Sequence, residues 1–255
     1  NNTMYQTSVT LDRFDILNAS LSIFPREAPV LIQCAESFGW VFDACERLAS
    51  CKDGCEAQSL LLQDFNITNI PLDTFQFPGS DTMVSLHISY NQIGNIETGA
   101  FRNLTSLRYM YASHNRLEYL QANLFQGLTS LEYLDISSNN IRSTESETFR
   151  DLYNLQTMIL SENNLSGELS GVLGNYMSNL VTLHVSKNRL ESVDERLEFP
   201  NLETLNLDSN SILRLGANAF DALSELQTAN LAINNISVLH SSTFSTNRAL
   251  RTLFL

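Results

Sequence analysis

Three kinds of residue in this chain could do chemistry: four cysteines, four histidines and neighbouring acids such as Asp194 and Glu195. Histidines and carboxylates act as general acids and bases, and cysteines act as nucleophiles or metal ligands. The sequence contains no G-x-S-x-G, H-E-x-x-H, G-x-x-x-x-G-K-S/T or G-x-G-x-x-G motif. The histidines also lie far apart along the chain. We therefore predict that the chain is not an enzyme and has no catalytic residues, metal site or cofactor.

The cysteines are confined to one short region with the spacing C-x10-C-x5-C-x3-C: Cys34, Cys45, Cys51 and Cys55. A zinc site, the competing interpretation, prefers two tight pairs, and only Cys51 and Cys55 are close. We therefore favour disulfides in one of three possible pairings. Disulfides imply an oxidising, extracellular environment.

Tyrosines and histidines form the remaining candidate set. These side chains are rigid and amphipathic, and tyrosine is enriched in binding hot spots. The candidates lie between residues 87 and 133: His87, Tyr90, Tyr109, Tyr111, His114 and Tyr133. Whether they form one surface depends on the elements that position them.

Those elements follow from an internal repeat. The phrase L-x-x-L-x-L-x-x-N-x-L starts at residues 83, 107, 131, 155, 180, 202 and 226. A degenerate copy starts at residue 57, with Phe65 in place of Asn, and a partial copy starts at Leu250. Seven copies in register do not arise by chance. The repeated asparagines are Asn91, Asn115, Asn139, Asn163, Asn188, Asn210 and Asn234.

The repeat has a direct physical interpretation. L-x-L alternation predicts a short strand with leucine inward, and nine parallel strands about 4.8 Å apart would form a row roughly 40 Å long. No repeat can bury its apolar side alone, so each stacks on its neighbours. The asparagine is expected to satisfy backbone groups that are left unpaired where the chain leaves the strand. Phenylalanines recur at the nineteenth position, where we expect them to stack on the convex side: Phe75, Phe101, Phe125, Phe149, Phe220 and Phe244.

With this phrase and a period near 24 residues, the chain resembles the leucine-rich repeat family over residues 57–255. The nineteenth-position phenylalanine resembles the subclass found in animal extracellular proteins, such as Toll-like receptors and secreted immune proteins. The resemblance implies an α/β solenoid: a horseshoe with a parallel concave β-sheet, a Phe spine and a cysteine-containing N-terminal cap.

The resemblance also implies the domain organisation. Residues 1–56 would form the cap, although their cysteine spacing departs from the commoner C-x3-C-x-C pattern. Within the cap region, a strand over the edge of the first repeat is expected in residues 7–24. Residues 57–255 would hold about eight repeats plus a partial ninth. We expect the array to be truncated there, because a bare strand edge would otherwise remain open.

Two consecutive repeats are irregular. Residues 155–179 form a repeat of 25 residues with Leu173 in place of phenylalanine, and residues 180–201 form a repeat of 22 that lacks the convex phenylalanine. The two length changes should alter the local curvature. They represent either tolerated variation or a shaped contact point.

In the repeat phrase, the second, third, fifth, seventh and eighth positions face outward on the concave side. All six tyrosine and histidine candidates, together with His184, fall at such positions. We therefore predict a ligand-contact patch. The competing interpretation is that aromatic residues simply suit strands and pair across them. Because histidines gain charge between about pH 7 and pH 5, pH-dependent binding is a further hypothesis.

Charge and sequence motifs limit the partners. A formal charge of −13 argues against nucleic acid at neutral pH and against anionic lipid. No apolar run reaches the roughly 18 residues of a membrane span. The N-glycosylation sequons are about as frequent as chance allows, so the cysteines support the extracellular assignment more strongly: Asn1, Asn18, Asn66, Asn103, Asn164 and Asn235.

Two functions fit these observations. The first is extracellular recognition of a protein or microbial ligand on the concave face, as a receptor ectodomain or a secreted innate-immune protein. The second is a structural or adhesion subunit that forms a homo- or hetero-oligomer through the open C-terminal edge.

Overall fold

The computed structural model describes residues 8–9, 59–72, 74–76 and 79–255. The four cysteines and the sequons Asn1 and Asn18 lie outside these ranges, as does the expected cap apart from residues 8–9.

The regular secondary structure of the described residues consists almost entirely of short strands, joined by turns. Beside them are one short helix, α1 (Leu169–Leu173), and one 3-10 turn (Ser80–Thr82). The strands are β1 (Ser8–Val9), β2 (Ser59–Leu61), β3 (Asn69–Ile70), β4 (Ser85–His87), β5 (Asn95–Ile96), β6 (Tyr109–Tyr111), β7 (Tyr119–Leu120), β8 (Tyr133–Asp135), β9 (Ser143–Thr144), β10 (Thr157–Ile159), β11 (Ser166–Glu168), β12 (Thr182–His184), β13 (Arg189–Val193), β14 (Thr204–Asn206), β15 (Arg214–Leu215), β16 (Thr228–Asn230) and β17 (Thr252–Phe254).

One long parallel sheet forms the concave face, with the order β1-β2-β4-β6-β8-β10-β12-β14-β16-β17. From β2 onward, each strand of this sheet occupies the third to fifth positions of its repeat, and the central residue is buried in the core in every strand except β17, where Leu253 is 38% exposed. The degenerate copy at residue 57 and the partial copy at residue 250 both supply strands. The tenth strand is β1, which pairs in parallel with β2 and so lies over the edge of the first repeat.

The repeated asparagines form a ladder that joins each repeat to the one before it. Asn115 donates to the carbonyl oxygens of Ile88 in the preceding repeat and Ala112 in its own, at 2.9 and 3.1 Å. Its side-chain oxygen accepts the Ile93 N–H at 3.0 Å. The expected structural role is therefore confirmed, and the same inter-repeat bonds are made by Asn91, Asn139, Asn163, Asn188, Asn210 and Asn234.

The phenylalanine spine is present on the convex side. Phe101 stacks on Phe75 and on Phe125, with ring centroids 5.7 and 6.4 Å apart. The stack continues from Phe125 to Phe149 at 5.8 Å. These rings are almost completely buried, so they fill the wider side of the solenoid where leucine alone would leave space.

The two irregular repeats are packed differently from their neighbours. Leu173 takes the phenylalanine position in the first of them and is buried. In the second, Phe199 at the twentieth position is fully buried. Its carbonyl oxygen accepts the Leu202 N–H at 3.0 Å, just as those of Leu128 and Leu152 accept the N–H of the first residue of the next repeat. Phe199 therefore takes the place of those leucines, and this repeat has no phenylalanine in the spine, as its sequence predicts. Here the convex side also carries a three-stranded parallel sheet, β11-β13-β15.

The eighth position has a left-handed backbone in every full repeat. Its φ values lie between 50° and 59° at Tyr90, His114, Ser138, Glu162, Lys187, Ser209 and Ile233. This conformation turns the chain out of the strand toward the ladder asparagine that follows. A β-branched residue is the least suited to it, because its branched Cβ crowds the backbone at positive φ.

Ile233 is therefore expected to be a strained residue on the surface. Its side chain is 74% exposed, so replacement removes little packing. We expect Ile233→Asn to raise the free energy of unfolding by about 1 kcal/mol, because asparagine tolerates the left-handed region. Urea unfolding measures the change. Ser209→Asn at the equivalent position is the control and should give a smaller gain; an equal gain from both variants would contradict strain specific to isoleucine.

Candidate functional site

The six predicted residues lie together on the concave face of β4, β6, β8 and the turns that follow. We call His87, Tyr90, Tyr109, Tyr111, His114 and Tyr133 the concave patch. The strand register places Tyr109 beside Tyr133 and His87 beside Tyr111. Because adjacent strands are only about 4.8 Å apart, neighbouring rings are within contact distance.

The rings of the patch stack on one another. His87 lies nearly flat on Tyr111, with centroids 4.4 Å apart and planes 13° apart. Tyr111 in turn packs against Tyr133 at 5.0 Å. Tyr90 and His114 form a second stacked pair at 4.4 Å, beside the ends of the strands. The stacks hold these five rings side by side, and Tyr90 remains 54% exposed to solvent.

Burial shifts the pKa values of His87, Tyr111 and Tyr133 in the direction that favours their uncharged forms. Desolvation raises the pKa of Tyr111, and Tyr109 and Asp135 add to the increase. The pKa of Tyr133 is likewise raised, first by burial and then by Asp135 and Tyr111. Both phenols therefore remain protonated and can donate hydrogen bonds.

His87 behaves differently from an exposed histidine. Burial lowers its pKa, and its Nε2 lies 2.7 Å from the Ser85 hydroxyl oxygen. His184, farther along the same face, also has its pKa lowered by burial. These two residues therefore gain charge at a lower pH than ordinary histidines. Any pH-dependent binding that relies on their charge should accordingly begin at a lower pH than the sequence suggested.

The lowered pKa of His87 fixes the sign of its effect on stability. In the unfolded chain its pKa returns to about 6.5, so the unfolded state binds more protons below that pH. The contribution is complete above about pH 6.5 and is lost as the pH falls through the folded-state pKa. We expect acidification from about pH 7.5 to 5.5 to lower the Tm, and His87→Gln to reduce that decrease. Thermal unfolding tests this, with the exposed His240→Gln as control; a decrease as large in His87→Gln as in the wild type would contradict it.

A salt bridge beside the patch was not identified as part of the site from sequence. Arg108 makes two hydrogen bonds to Glu132, both 2.8 Å long, and its guanidinium carbon lies 5.6 Å from the Tyr109 ring centroid. Hydrogen bonding and charge attraction from Glu132 raise the Arg108 pKa. Because it is paired with Glu132, Arg108 presents no unpaired positive charge at the rim of the patch. The sequence signal was present, since both residues occupy second positions of adjacent repeats.

A polar groove of about 730 Å³ runs along the edge where the chain enters the concave strands. Amides in this groove are held by the preceding repeat: the Asn154 nitrogen donates to the Thr129 carbonyl oxygen at 2.8 Å. We call this side the amino edge and the opposite side, where the chain leaves the strands, the carboxyl edge. The groove adjoins the patch through Arg108 and Glu132, and its lining is Ser106, Arg108, Ser130, Glu132, Asn154, Gln156, Asn179, Val181 and Asn201.

Within the described ranges, no group of three or more histidine, cysteine or acidic side chains could hold a metal ion. No helix in those ranges is long and apolar enough to cross a membrane. Asp194 and Glu195 lie on the convex side, where their backbone N–H groups donate to the Glu168 carboxylate.

Comparison with a protein-family profile described as Leucine rich repeat gives overlapping matches over residues 56–117, 81–141, 129–190, 178–228 and 200–255. Together these matches span all of the predicted repeats. No curated protein matches the chain by sequence.

Solved structures share the fold. A chain of the octameric complex of Latrophilin 3, Unc5D and FLRT2 is 24% identical, with a TM-score of 0.68 over 77% of this chain and 60% of that chain. A chain of the TLR13–ssRNA13 complex is 25% identical, with a TM-score of 0.58 over 71% and 29%. A chain of the Drosophila Toll–Spatzle complex is 21% identical, with a TM-score of 0.56 over 74% and 28%. This chain thus spans less than two thirds of each of these relatives.

Proposed function

Because the chain belongs to the leucine-rich repeat family, we propose that it is an extracellular recognition module that binds a protein partner through its concave patch. The main observation that supports this proposal is the set of six tyrosine and histidine rings on three adjacent repeats. Large rigid rings give contact area at a low conformational entropy, and tyrosine is enriched in binding hot spots. The partner can be a host or a microbial protein.

The chemistry of the patch favours a protein over a nucleic acid. The phenols of Tyr111 and Tyr133 are neutral and Arg108 is paired with Glu132, so the described residues of the patch offer no unpaired arginine or lysine to a phosphate. The formal charge of −13 adds long-range repulsion of a phosphate backbone. Among the structural relatives, the TLR13 complex contains RNA, whereas the Toll–Spatzle and Latrophilin 3–Unc5D–FLRT2 complexes are assemblies of proteins.

The extracellular location and the innate-immune role in the proposal have separate supports. The cysteine cluster suits disulfides, which persist in oxidising compartments. The similarity to Toll and TLR13 structures supports an innate-immune role, as either a receptor ectodomain or a secreted protein.

The patch is tested with the double variant Tyr109→Ala/Tyr111→Ala. The full chain is immobilised, partners are recovered from extracellular fluid, and the affinity of the recovered partner is measured by surface plasmon resonance. We expect the double variant to lose about 2 kcal/mol of binding free energy or more, roughly a 30-fold weaker Kd, because hot-spot tyrosines have effects of this size.

The matched control is Tyr119→Ala. Tyr119 is an exposed tyrosine on the short strand β7, outside the concave sheet, and its hydroxyl donates to Glu145. This control should bind like the wild type. Undiminished binding by the double variant would contradict the proposal. It would favour the assembly function if light scattering also shows an oligomer that the patch substitutions leave intact.

A further inference from the structure

Three of the sequons occupy one equivalent position in the fold. Asn66, Asn164 and Asn235 are each the tenth residue of a repeat, directly after the ladder position. Tenth residues form a row along the carboxyl edge, because each one from Gln92 onward donates its backbone N–H to the carbonyl oxygen of the eleventh residue of the preceding repeat. These bonds measure 2.8 Å from Asn164 to Ile141 and 3.0 Å from Asn235 to Ile212.

The amide nitrogens of these asparagines are available. Asn66 and Asn235 are exposed and Asn164 is half-exposed. The Asn66 side-chain oxygen accepts a hydrogen bond from Gln92 at 3.2 Å, which leaves its nitrogen free of partners among the described residues. Asn103 is different: it is half-buried, lies away from the row, and donates its nitrogen to the Phe75 carbonyl oxygen at 3.4 Å.

The repeats of the patch lack sequons in this row. Their tenth residues are Gln92, Arg116 and Asn140, and Asn140 is followed by Ile141 and Arg142, which does not complete a sequon. The asparagines of the amino-edge groove are also followed by incomplete sequons, because Gln156, Val181 and Glu203 stand where serine or threonine is needed. Beside the patch, therefore, neither the row of tenth residues at the carboxyl edge nor the row of asparagines at the amino edge contains a sequon.

We propose that N-linked glycans attached to Asn66, Asn164 and Asn235 stand along the carboxyl edge on either side of the concave patch and leave the carboxyl edge of the three patch repeats bare. When each glycan is attached, the asparagine Nδ2 forms a bond to the anomeric carbon of a lipid-diphosphate-linked oligosaccharide. The amide loses one proton, the sugar–phosphate bond breaks, and the lipid diphosphate leaves. This inference rests on the extracellular location in the proposed function.

The attachment sites are measured without any partner. The full chain is secreted from insect cells, and its peptides are treated with an amidase that converts glycosylated asparagine to aspartate in 18O water. We expect conversion at Asn66, Asn164 and Asn235, and each single Asn→Gln variant should lose the mass of one glycan. Unmodified Asn164 or Asn235 in the secreted protein would overturn the inference.

The absence of glycans from the carboxyl edge beside the patch is tested by adding a glycan there. Arg142→Thr completes a sequon at Asn140, and it disturbs the fold little because the ion pair of Arg142 with Glu118 is exposed and 3.5 Å long. The new glycan should weaken binding of the partner recovered above by at least about tenfold, a change equal to 1.4 kcal/mol. Enzymatic removal of the glycans should restore the binding.

The matched control places a glycan in the same row outside the three patch repeats. Ser211 is the tenth residue of the repeat that starts at 202, so Ser211→Asn with Leu213→Thr creates a sequon there. This variant should bind the partner normally. Normal binding by glycosylated Arg142→Thr would contradict the inference that the partner needs a glycan-free edge beside the patch. Failure of the proposed function is distinguished from this outcome, because it would appear as full binding by Tyr109→Ala/Tyr111→Ala.

Discussion

Replacing Asn139 with alanine is expected to lower the free energy of unfolding by about 3 kcal/mol, the upper range for leaving a buried polar group unpaired. Asn139 is buried, and its side-chain oxygen is the acceptor for the Leu117 N–H at 3.1 Å. That N–H has no other acceptor among the described residues. The carbonyl oxygens of Ala112 and Ile136 also lose a donor, although each keeps the amide of a neighbouring ladder residue.

The measurement is thermal and urea unfolding of the full chain. A change of about 3 kcal/mol corresponds to a Tm decrease of roughly 6–12 °C for a chain of this size. Asn140→Ala is the matched control, because Asn140 is the adjacent asparagine and is exposed. Similar losses from the two substitutions would show that the ladder bonds do not account for the stability.

The ladder also bears on recognition. It fixes the exit of each strand, and the eighth position just before it carries Tyr90 and His114. Side chains held by a rigid backbone lose little conformational entropy on binding. A variant that loosens the ladder should therefore weaken partner binding as well as stability.

Gly216→Ala is expected to have a comparable effect through overpacking, with a loss of about 3 kcal/mol. A Cβ atom on Gly216 would lie 2.1 Å from the Asp194 carbonyl oxygen and 2.9 Å from its carbon. Both are backbone atoms, so the clash cannot be relieved by rotating a side chain. The backbones must separate, which disrupts the pairing of β13 with β15 on the convex side.

Gly171→Ala provides a control of opposite sign. Gly171 is an exposed residue of α1, and a Cβ there would meet nothing within 4 Å. Because alanine is the better helix former, this substitution should stabilise the chain by about 0.5–1 kcal/mol. Both variants are compared by urea unfolding. A urea-unfolding midpoint of Gly216→Ala equal to that of the wild type would contradict the close approach of Gly216 to the Asp194 backbone.

The sequence alone determined the parts of this protein that depend on periodicity. The repeat phrase placed the strands, identified the ladder asparagines, and assigned the tyrosine and histidine rings to one face. These inferences succeeded because a strand alternates its side chains with period two and stacked repeats place equivalent residues side by side. The phenylalanine spine was predictable for the same reason in the regular repeats.

Only the tertiary structure decided contacts that depend on distance between repeats. The stacking of His87 on Tyr111, the pairing of Arg108 with Glu132, and the burial of Phe199 each require knowledge of how neighbouring turns are packed. The close approach of Gly216 to Asp194 belongs to the same class. A repeat pattern specifies which residues are equivalent, but the separation and rotation between turns, which set these contacts, arise from packing the whole core to uniform density.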